Sequence, residues 1–248
     1  MSLTQVPRIG CAGWNLPRDS TAHFSSTGTY LQRYAGQFSA VEINSSFYRP
    51  HRPATYARWA ESVPADFRFS VKVPKQITHE RRLRDAADIL DDFLSAVESL
   101  GGHLGCLLVQ LPPSLPFDLD VAEPFFTHLR RRYHGAVVCE PRHSSWFSLT
   151  SERLLTSHTV GRVAADPAPQ PAAERPAADT GVMYYRLHGS PRMYYSAYTT
   201  SYLSGLATLL TSQSSPEREI WCIFDNTAAG AAIENALELQ ALIAETVA

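Results

Sequence analysis

Phe67-Arg-Phe-Ser-Val-Lys-Val73 sets Phe67, Phe69, Val71 and Val73 on one parity and Arg68, Ser70 and Lys72 on the other. In a β-strand alternate side chains share a face, so this run has an apolar face and a polar face. Seven further apolar or β-branched runs accompany it: Arg8–Trp14, Ala40–Ser46, Gly105–Leu111, Gly135–Arg142, Val160–Asp166, Val182–Gly189 and Glu219–Asn226. Most are followed by a stretch of helical period. Asp85–Leu100 carries Ile89, Leu90, Phe93, Leu94, Val97 and Leu100 and is closed by Gly101 and Gly102. Leu31, Tyr34 and Phe38 predict an earlier helix, Val121, Phe125 and Leu129 another, Tyr202, Leu206, Leu209 and Leu210 a later one, and 228–247 a terminal one. Pro53 suits the first turn of a helix containing Tyr56 and Trp59. Strand alternating with helix predicts parallel strands joined by right-handed crossovers. Eight such units predict an α/β fold, a (β/α)8 TIM barrel, in one domain over residues 1–248. Between the sixth and seventh strands, Pro167-Ala-Pro-Gln-Pro-Ala-Ala-Glu-Arg-Pro176 is too proline-rich for an ordinary helix and predicts an irregular link.

Composition narrows the function. Of 248 residues 44% are apolar and 19% charged, which excludes a disordered chain. Twenty-two Lys and Arg against 24 Asp and Glu leave a net charge of −2, which argues against a polybasic nucleic-acid binder. No apolar run is long enough for a membrane span, and Met1–Gly10 lacks a signal core, so a cytoplasmic protein without membrane contact is expected. Cys11, Cys106, Cys139 and Cys222 are too scattered for a zinc or redox motif and read as small buried hydrophobes.

The polar parity carries the chemistry. Glu42 and Asn44 alternate with Val41 and Ile43. Val138, Glu140 and Arg142 share a face, as do Tyr184, Arg186 and His188, and Ile223 with Asp225. The apolar sets suit the helix-facing side, so the polar sets point inward. Trp14, Glu42, Asn44, Lys72, Gln110, Glu140, Arg142, Asp166, Arg186, His188, Asp225 and Asn226 also fall near the C-terminal ends of their strands, the end that carries the active site in barrels of this kind. Charges there must pair with one another or face a solvated cleft. A self-neutralising polar plug is the bland alternative.

Six motifs come in order: Glu42-Ile-Asn-Ser-Ser-Phe-Tyr48; Phe69-Ser-Val-Lys-Val-Pro74 with Ile77-Thr-His79; Leu107-Leu-Val-Gln-Leu-Pro-Pro113; Glu140-Pro-Arg-His-Ser-Ser-Trp-Phe147; Tyr185-Arg-Leu-His-Gly189; and Phe224-Asp-Asn-Thr227. In these the chain resembles the family called domain of unknown function 72, the YecE-like proteins, from Ile9 to about Leu242. The resemblance implies a TIM barrel related in architecture to the endonuclease IV and xylose isomerase group. It implies no established activity; nucleic-acid or phosphate-ester chemistry is inferred for the family by structural analogy alone.

From the residues, His188 and Glu140 are expected to handle protons, with Lys72, Arg142 and Arg186 binding an anion and Glu42, Asn44 and Asp225 orienting them. Ser190 and Arg192, after the seventh strand, and Asn226, after the eighth, stand where this architecture holds phosphate. Trp14, Phe47, Tyr48, Trp146, Tyr194, Tyr195 and Tyr198 offer aromatic faces, with Gln110 and Asp166 as further polar contacts. Arg81, Arg82 and Arg84 are candidates for touching a polyanion. The expected activity is a hydrolase-like or isomerase-like enzyme using no metal or cofactor, with a small anionic or phosphorylated substrate, and nucleic acid as the second candidate. Two alternatives remain: a non-catalytic nucleic-acid or protein binding module, and a metal-dependent hydrolase or isomerase using Glu140, Asp166, His188 and Asp225. Two opposed acids for glycoside hydrolysis are less in evidence, since the fourth and seventh strands end in Gln110 and His188. Glu140→Gln and His188→Ala are expected to remove activity without lowering the melting temperature.

Overall fold

A computed structural model of the chain describes residues 6–247; Met1–Gln5, part of the stretch from which a cytoplasmic location is read, and Ala248 lie outside it. Among the described residues ten strands form two sheets. The first holds β1 (Arg8–Cys11), β10 (Glu219–Phe224), β9 (Val182–Leu187) and β7 (Ala164–Asp166), in that order. The second holds β2 (Ala40–Ile43), β3 (Arg68–Lys72), β4 (Leu104–Gln110), β5 (Ala136–Glu140), β6 (Val160–Arg162) and β8 (Ala177–Ala178). All pairs are parallel except β6 with β8. The chain is therefore an α/β fold with parallel sheets.

The single sixth strand expected over Val160–Asp166 is two strands. Its first half pairs with β5 and its second with β9, so one extended run passes from the first partner sheet to the other. The proline-rich link holds only a short 3-10 turn (Pro171–Glu174) and the two residues of β8, which pair antiparallel with β6. The other edge is crossed just past β1, where Ala12 bridges Glu42 in parallel fashion and Gly13 N donates to Glu42 O at 2.9 Å. Tyr34 fastens the same place: its hydroxyl accepts from Cys11 N at 2.8 Å and donates to Ala40 O at 3.0 Å.

The helices follow the periodicity. They are α1 (Tyr30–Ala35), α2 (Ser45–Tyr48), α3 (Pro53–Glu61), α4 (Ala87–Val97), α5 (Leu119–Arg132), α6 (Leu149–Ser157), α7 (Thr200–Gln213) and α8 (Ala231–Val247). Thr29 and Gln32 form a capping box on α1, Ser148 and Ser151 another on α6, and Pro53 occupies the first turn of α3. In α7, Leu203, Leu206 and Leu210 turn inward, while Tyr202 and Leu209 are exposed. The four cysteines are free and buried.

Strand parity splits the apolar residues into two clusters. Phe69, Val71, Leu107, Val109, Val137, Cys139, Cys222 and Phe224 belong to the large helix-facing core. Ala40, Cys106, Leu108, Val138, Val163, Tyr184, Trp221 and Ile223 form a smaller separate one on the opposite face of the strands. There the Tyr184 and Trp221 rings stack 6.0 Å apart at 13°. This smaller cluster is the apolar floor on which the polar ends of the strands stand.

Close approach at the crossed edge requires glycine at position 10, where an added Cβ would lie 2.2 Å from the backbone oxygen of Ala40. Gly10→Ala is expected to cost roughly 1–3 kcal/mol, lowering Tm by about 2–4 °C per kcal/mol. Thermal melts followed by circular dichroism check this; an unchanged Tm contradicts the tight seam.

Candidate functional site

The C-terminal ends of the parallel strands bring together the polar residues that parity assigned to the inner face. Glu42 lies near the end of β2, Ser70 and Lys72 on β3, Gln110 closes β4, Glu140 closes β5, Arg186 is on β9, and His188 and Asp225 follow β9 and β10. Gln110 sits opposite Glu140 in the β4–β5 register, and Glu42 opposite Ser70 in the β2–β3 register.

Arg186 is the hub. Its side chain is wholly buried. Nε donates to Glu42 Oε2 at 2.9 Å and Nη2 to Glu42 Oε1 at 2.8 Å, a two-pronged grip. Nη1 donates to Glu140 Oε2 at 3.1 Å, and Nη2 lies 3.0 Å from Asp225 Oδ2. Burial works against the guanidinium's charge, but Asp225, Glu42 and Glu140 together hold its pKa well above the ordinary arginine value. Tyr184 completes the underside by donating toward Glu42 Oε2, with Ser70 Oγ also 3.0 Å from its hydroxyl. Arg186 is thus a buried strut and is not available to a substrate anion, contrary to the expectation from sequence.

His188, also fully buried, joins the remaining two carboxylates. Nδ1 lies 3.0 Å from Asp225 Oδ2. Nε2 has two neighbours, Glu140 Oε1 at 2.9 Å and Arg142 Nη2 at 2.7 Å. With the Nδ1 proton given to Asp225, Nε2 accepts from Arg142 when unprotonated and donates to Glu140 when protonated. Arg142 is itself tied to Glu140 Oε1, at 2.9 Å through Nε and 2.6 Å through Nη2. Burial pushes the Glu140 carboxyl up, yet Arg142, Arg186 and His188 override it and hold the group well below the usual carboxylate range. Asp225 is likewise lowered: burial opposes, and Arg186, His188 and Lys72 win.

Lys72 differs from the other cations. It is only 5% exposed, and among the described residues no carboxylate comes within ion-pair distance of its ammonium. Nζ rests 4.1 Å from the centroid of the Phe47 ring, on α2. Burial, and then the Arg186 charge, pull its pKa down to about 8 against the upward pull of Glu42, Asp225 and Glu140. His79 packs edge-on against the same Phe47 ring at 4.9 Å, and burial together with Lys72 and Arg142 lowers its pKa. Tyr194 covers His188, ring to ring at 5.7 Å. On the same face a groove of about 480 Å³ runs past Trp14, Asn44 and Tyr48, and the Oδ1 of Asn44 is buried without a partner.

Several residues expected at the site stand elsewhere. Trp146 is buried, with its indole N–H donated to Leu115 O at 3.0 Å, so it offers no face to a ligand. Asn226 is an internal fastener, donating to Ser196 O at 2.9 Å and Asn235 Oδ1 at 3.0 Å. Asp166 accepts from Tyr198 Oη at 2.8 Å and is not gathered with Glu140, His188 and Asp225, so the four-ligand metal set is not assembled. Among the described residues no group of three or more His, Cys, Asp or Glu is arranged to hold a metal ion. Ser190 and Arg192 lie on the exposed loop after β9, where the Arg192 guanidinium sits 3.9 Å over the Tyr195 ring. Arg81, Arg82 and Arg84 are occupied locally, by Asp85 O, by Ser114 and by Asp118. Sequence reasoning missed two participants as site residues, Tyr184 and His79, and gave Phe47 only as an aromatic face for a ligand, not as the partner of Lys72. Tyr184 lies on the same parity as Arg186, while His79 and Phe47 lie in the quoted motifs but on segments outside any strand, where parity says nothing.

Comparison with known proteins gives a consistent picture. The family model described as "Protein of unknown function DUF72" matches residues 8–248. UPF0759 protein YecE of Escherichia coli (strain K12) is 32% identical over 171 residues, 66% of this chain and 61% of YecE. The match thus spans less than two thirds of that relative's length. UPF0759 protein YunF of Bacillus subtilis (strain 168) is 27% identical over 148 residues, 56% of this chain and 52% of YunF. The crystal structure of a DUF72 family protein from Thermotoga maritima MSB8 superposes with a TM-score of 0.82 at 24% identity, covering 97% of this chain and 100% of that one, a likeness of fold. Among the described residues no helix is long and apolar enough to cross a membrane.

Because Glu140 is wrapped by three cationic or hydrogen-bonding partners, Glu140→Gln is expected to lower stability, by roughly 3–5 kcal/mol, instead of leaving Tm unchanged. The pH dependence has a definite sign. The folded Glu140 pKa lies below its ordinary value of 4.5, so its stabilisation is present above that value and is lost as pH falls through the lower folded one. Melting curves from about pH 7 to about pH 3 should fall less steeply for Glu140→Gln than for the wild type; parallel curves contradict the assignment.

Proposed function

This chain belongs to the DUF72 family, and from that premise we propose that it is an enzyme performing acid–base chemistry on a small anionic substrate bound over Arg142 and Lys72. The observation that carries this reading is the divided loyalty of His188 Nε2 between Glu140 and Arg142. An anion that draws the Arg142 guanidinium toward itself takes away the donor to Nε2 and leaves Glu140 as the sole neighbour. Nε2 then has a carboxylate as its one hydrogen-bond neighbour and stands as the proton donor or acceptor toward the substrate. Substrate binding thereby changes the partner of this one nitrogen. Asp225 fixes the ring by holding Nδ1, Glu42 and Arg186 position the carboxylates, and Gln110 and Asn44 supply neutral polar contacts.

The same reading gathers the two sheets into one (β/α)8 wall. It is supported by the Ala12–Glu42 bridge on one side and by the run Val160–Asp166 shared between sheets on the other. In such a wall the cluster sits at the catalytic end. The cationic groups nearest the surface there are Arg142 and, beneath it, Lys72, which suits a phosphate or carboxylate group. The buried net of charges offers little stability over an apolar plug of the same volume, so a structural role alone does not account for it.

Arg142→Gln tests the anion site, since the Arg142 side chain is 11% exposed where Arg186 is sealed, and the variant leaves the contacts made by Arg186 itself in place. Isothermal titration calorimetry with inorganic phosphate should show binding to the wild type. The variant should bind about tenfold more weakly or worse, the loss of one charge-assisted hydrogen bond. Equal affinities, or no phosphate binding by the wild type, overturn the reading.

A further inference from the structure

Among the described residues Lys72 is a cation of this cluster that no carboxylate pairs with. Three carboxylates surround it, yet Arg186 and Arg142 hold them: Glu42 through two donors, Glu140 through both arginines and Asp225 through Arg186. An ammonium in such a place would ordinarily take one of those carboxylates as its own. Here the contact recorded for Nζ is the Phe47 ring at 4.1 Å. The side chain is nearly buried, stands on a strand, and has its carboxyl-terminal neighbours Val73 and Pro74 buried as well, so the amine is held on a rigid base. A lysine that acts as a nucleophile, besides any anion it helps to hold, needs a dry, firmly held position beside other cations. The position of Lys72 meets that description.

We propose that Lys72 is a covalent site, its amine condensing with the carbonyl group of a small anionic aldehyde or ketone to form an imine. The nitrogen lone pair attacks the carbonyl carbon, and a proton moves from nitrogen to oxygen to give the carbinolamine. The C–O bond then breaks, water departs with the protons taken from nitrogen, and the C=N bond forms. Ammonium plus carbonyl compound becomes protonated imine plus one water, with no oxidant or reductant required. The positive nitrogen so formed faces Glu42, Glu140 and Asp225 among the carboxylates, and Arg186 and His79 among the cationic or titratable groups. A carbonyl-derived cation therefore takes over the electrostatic place of the original ammonium. The lowered pKa of about 8 leaves about a tenth of the amine free near neutral pH, against less than a thousandth for an ordinary lysine. This inference deepens the reading of an anion-binding enzyme by naming the substrate's reactive group, and it rests on that reading only for the word anionic.

The chain carries its own control, because Lys72 and Lys75 are its only lysines. Lys75 is exposed and paired with Glu80 at 3.0 Å. The full-length protein is incubated with pyruvate, with dihydroxyacetone phosphate or with the neutral ketone butanone, each with cyanoborohydride, and peptide mass spectrometry locates the reduced adduct. That adduct adds the mass of the carbonyl compound less one oxygen. Lys72 should be labelled about tenfold faster than Lys75 or more. Labelling should cease at that position in Lys72→Arg, which keeps the charge but not the nucleophile. Equal labelling of both lysines, labelling of Lys75 alone, or no adduct with any probe overturns the proposal. The two readings fail separately. Labelling of Lys72 that is no faster with the anionic ketones than with butanone, and unaffected by inorganic phosphate, upholds the imine and defeats the anion site. Phosphate binding that depends on Arg142 without any adduct upholds the anion site and defeats the imine.

Discussion

One guanidinium, sealed from water and shared among three carboxylates, two on strands and one just past a third, governs this structure. Arginine suits the task because its planar fork presents several donors in fixed directions and remains charged when buried. Arg186 uses two of those donors on Glu42, one on Glu140, and sets a fourth contact on Asp225. The strands bearing these groups are remote in sequence, and β2 and β5 belong to one sheet while β9 and β10 belong to the other. The strut therefore joins residues of the two sheets and fixes where the other ionisable groups stand.

Two consequences follow from that arrangement. The carboxylates that could have neutralised Lys72 are already engaged, so the lysine keeps an unpaired amine beside them. Glu140 and Asp225 are also held ionised despite burial, which makes them stable acceptors for His188. Tyr184 joins these upper contacts to the apolar floor below, with its ring stacked on Trp221 and its hydroxyl reaching Glu42. The polar site is thus built on a packed base.

Much of this was legible in the sequence because strand parity is a strict rule. The inward set Glu42, Lys72, Glu140, Arg186, His188 and Asp225 could be read from alternation alone, and those residues do converge. What alternation cannot give is depth. It puts Arg186 and Arg142 on the same side without saying that one is sealed and the other stands at the rim. It is also silent outside strands. Trp146 and Asn226 looked like rim residues because they follow strands, yet each turns inward to satisfy backbone or helix groups. The split of Val160–Asp166 was hidden for a related reason: an unbroken apolar run does not show that its two halves pair with different neighbours.

The account stands on Lys72 being unpaired while Arg186 claims the carboxylates. Since the chain has only two lysines, nuclear magnetic resonance of protein labelled at the lysine side chains reads the point directly. Titrated with pH, the Cε–Nζ group of Lys72, told apart from that of Lys75 by the Lys72→Arg variant, should show a midpoint near 8. A Lys72 midpoint at the usual lysine value near 10.5 would mean that Lys72 is ion-paired or solvated, and the organisation described for the site would be wrong.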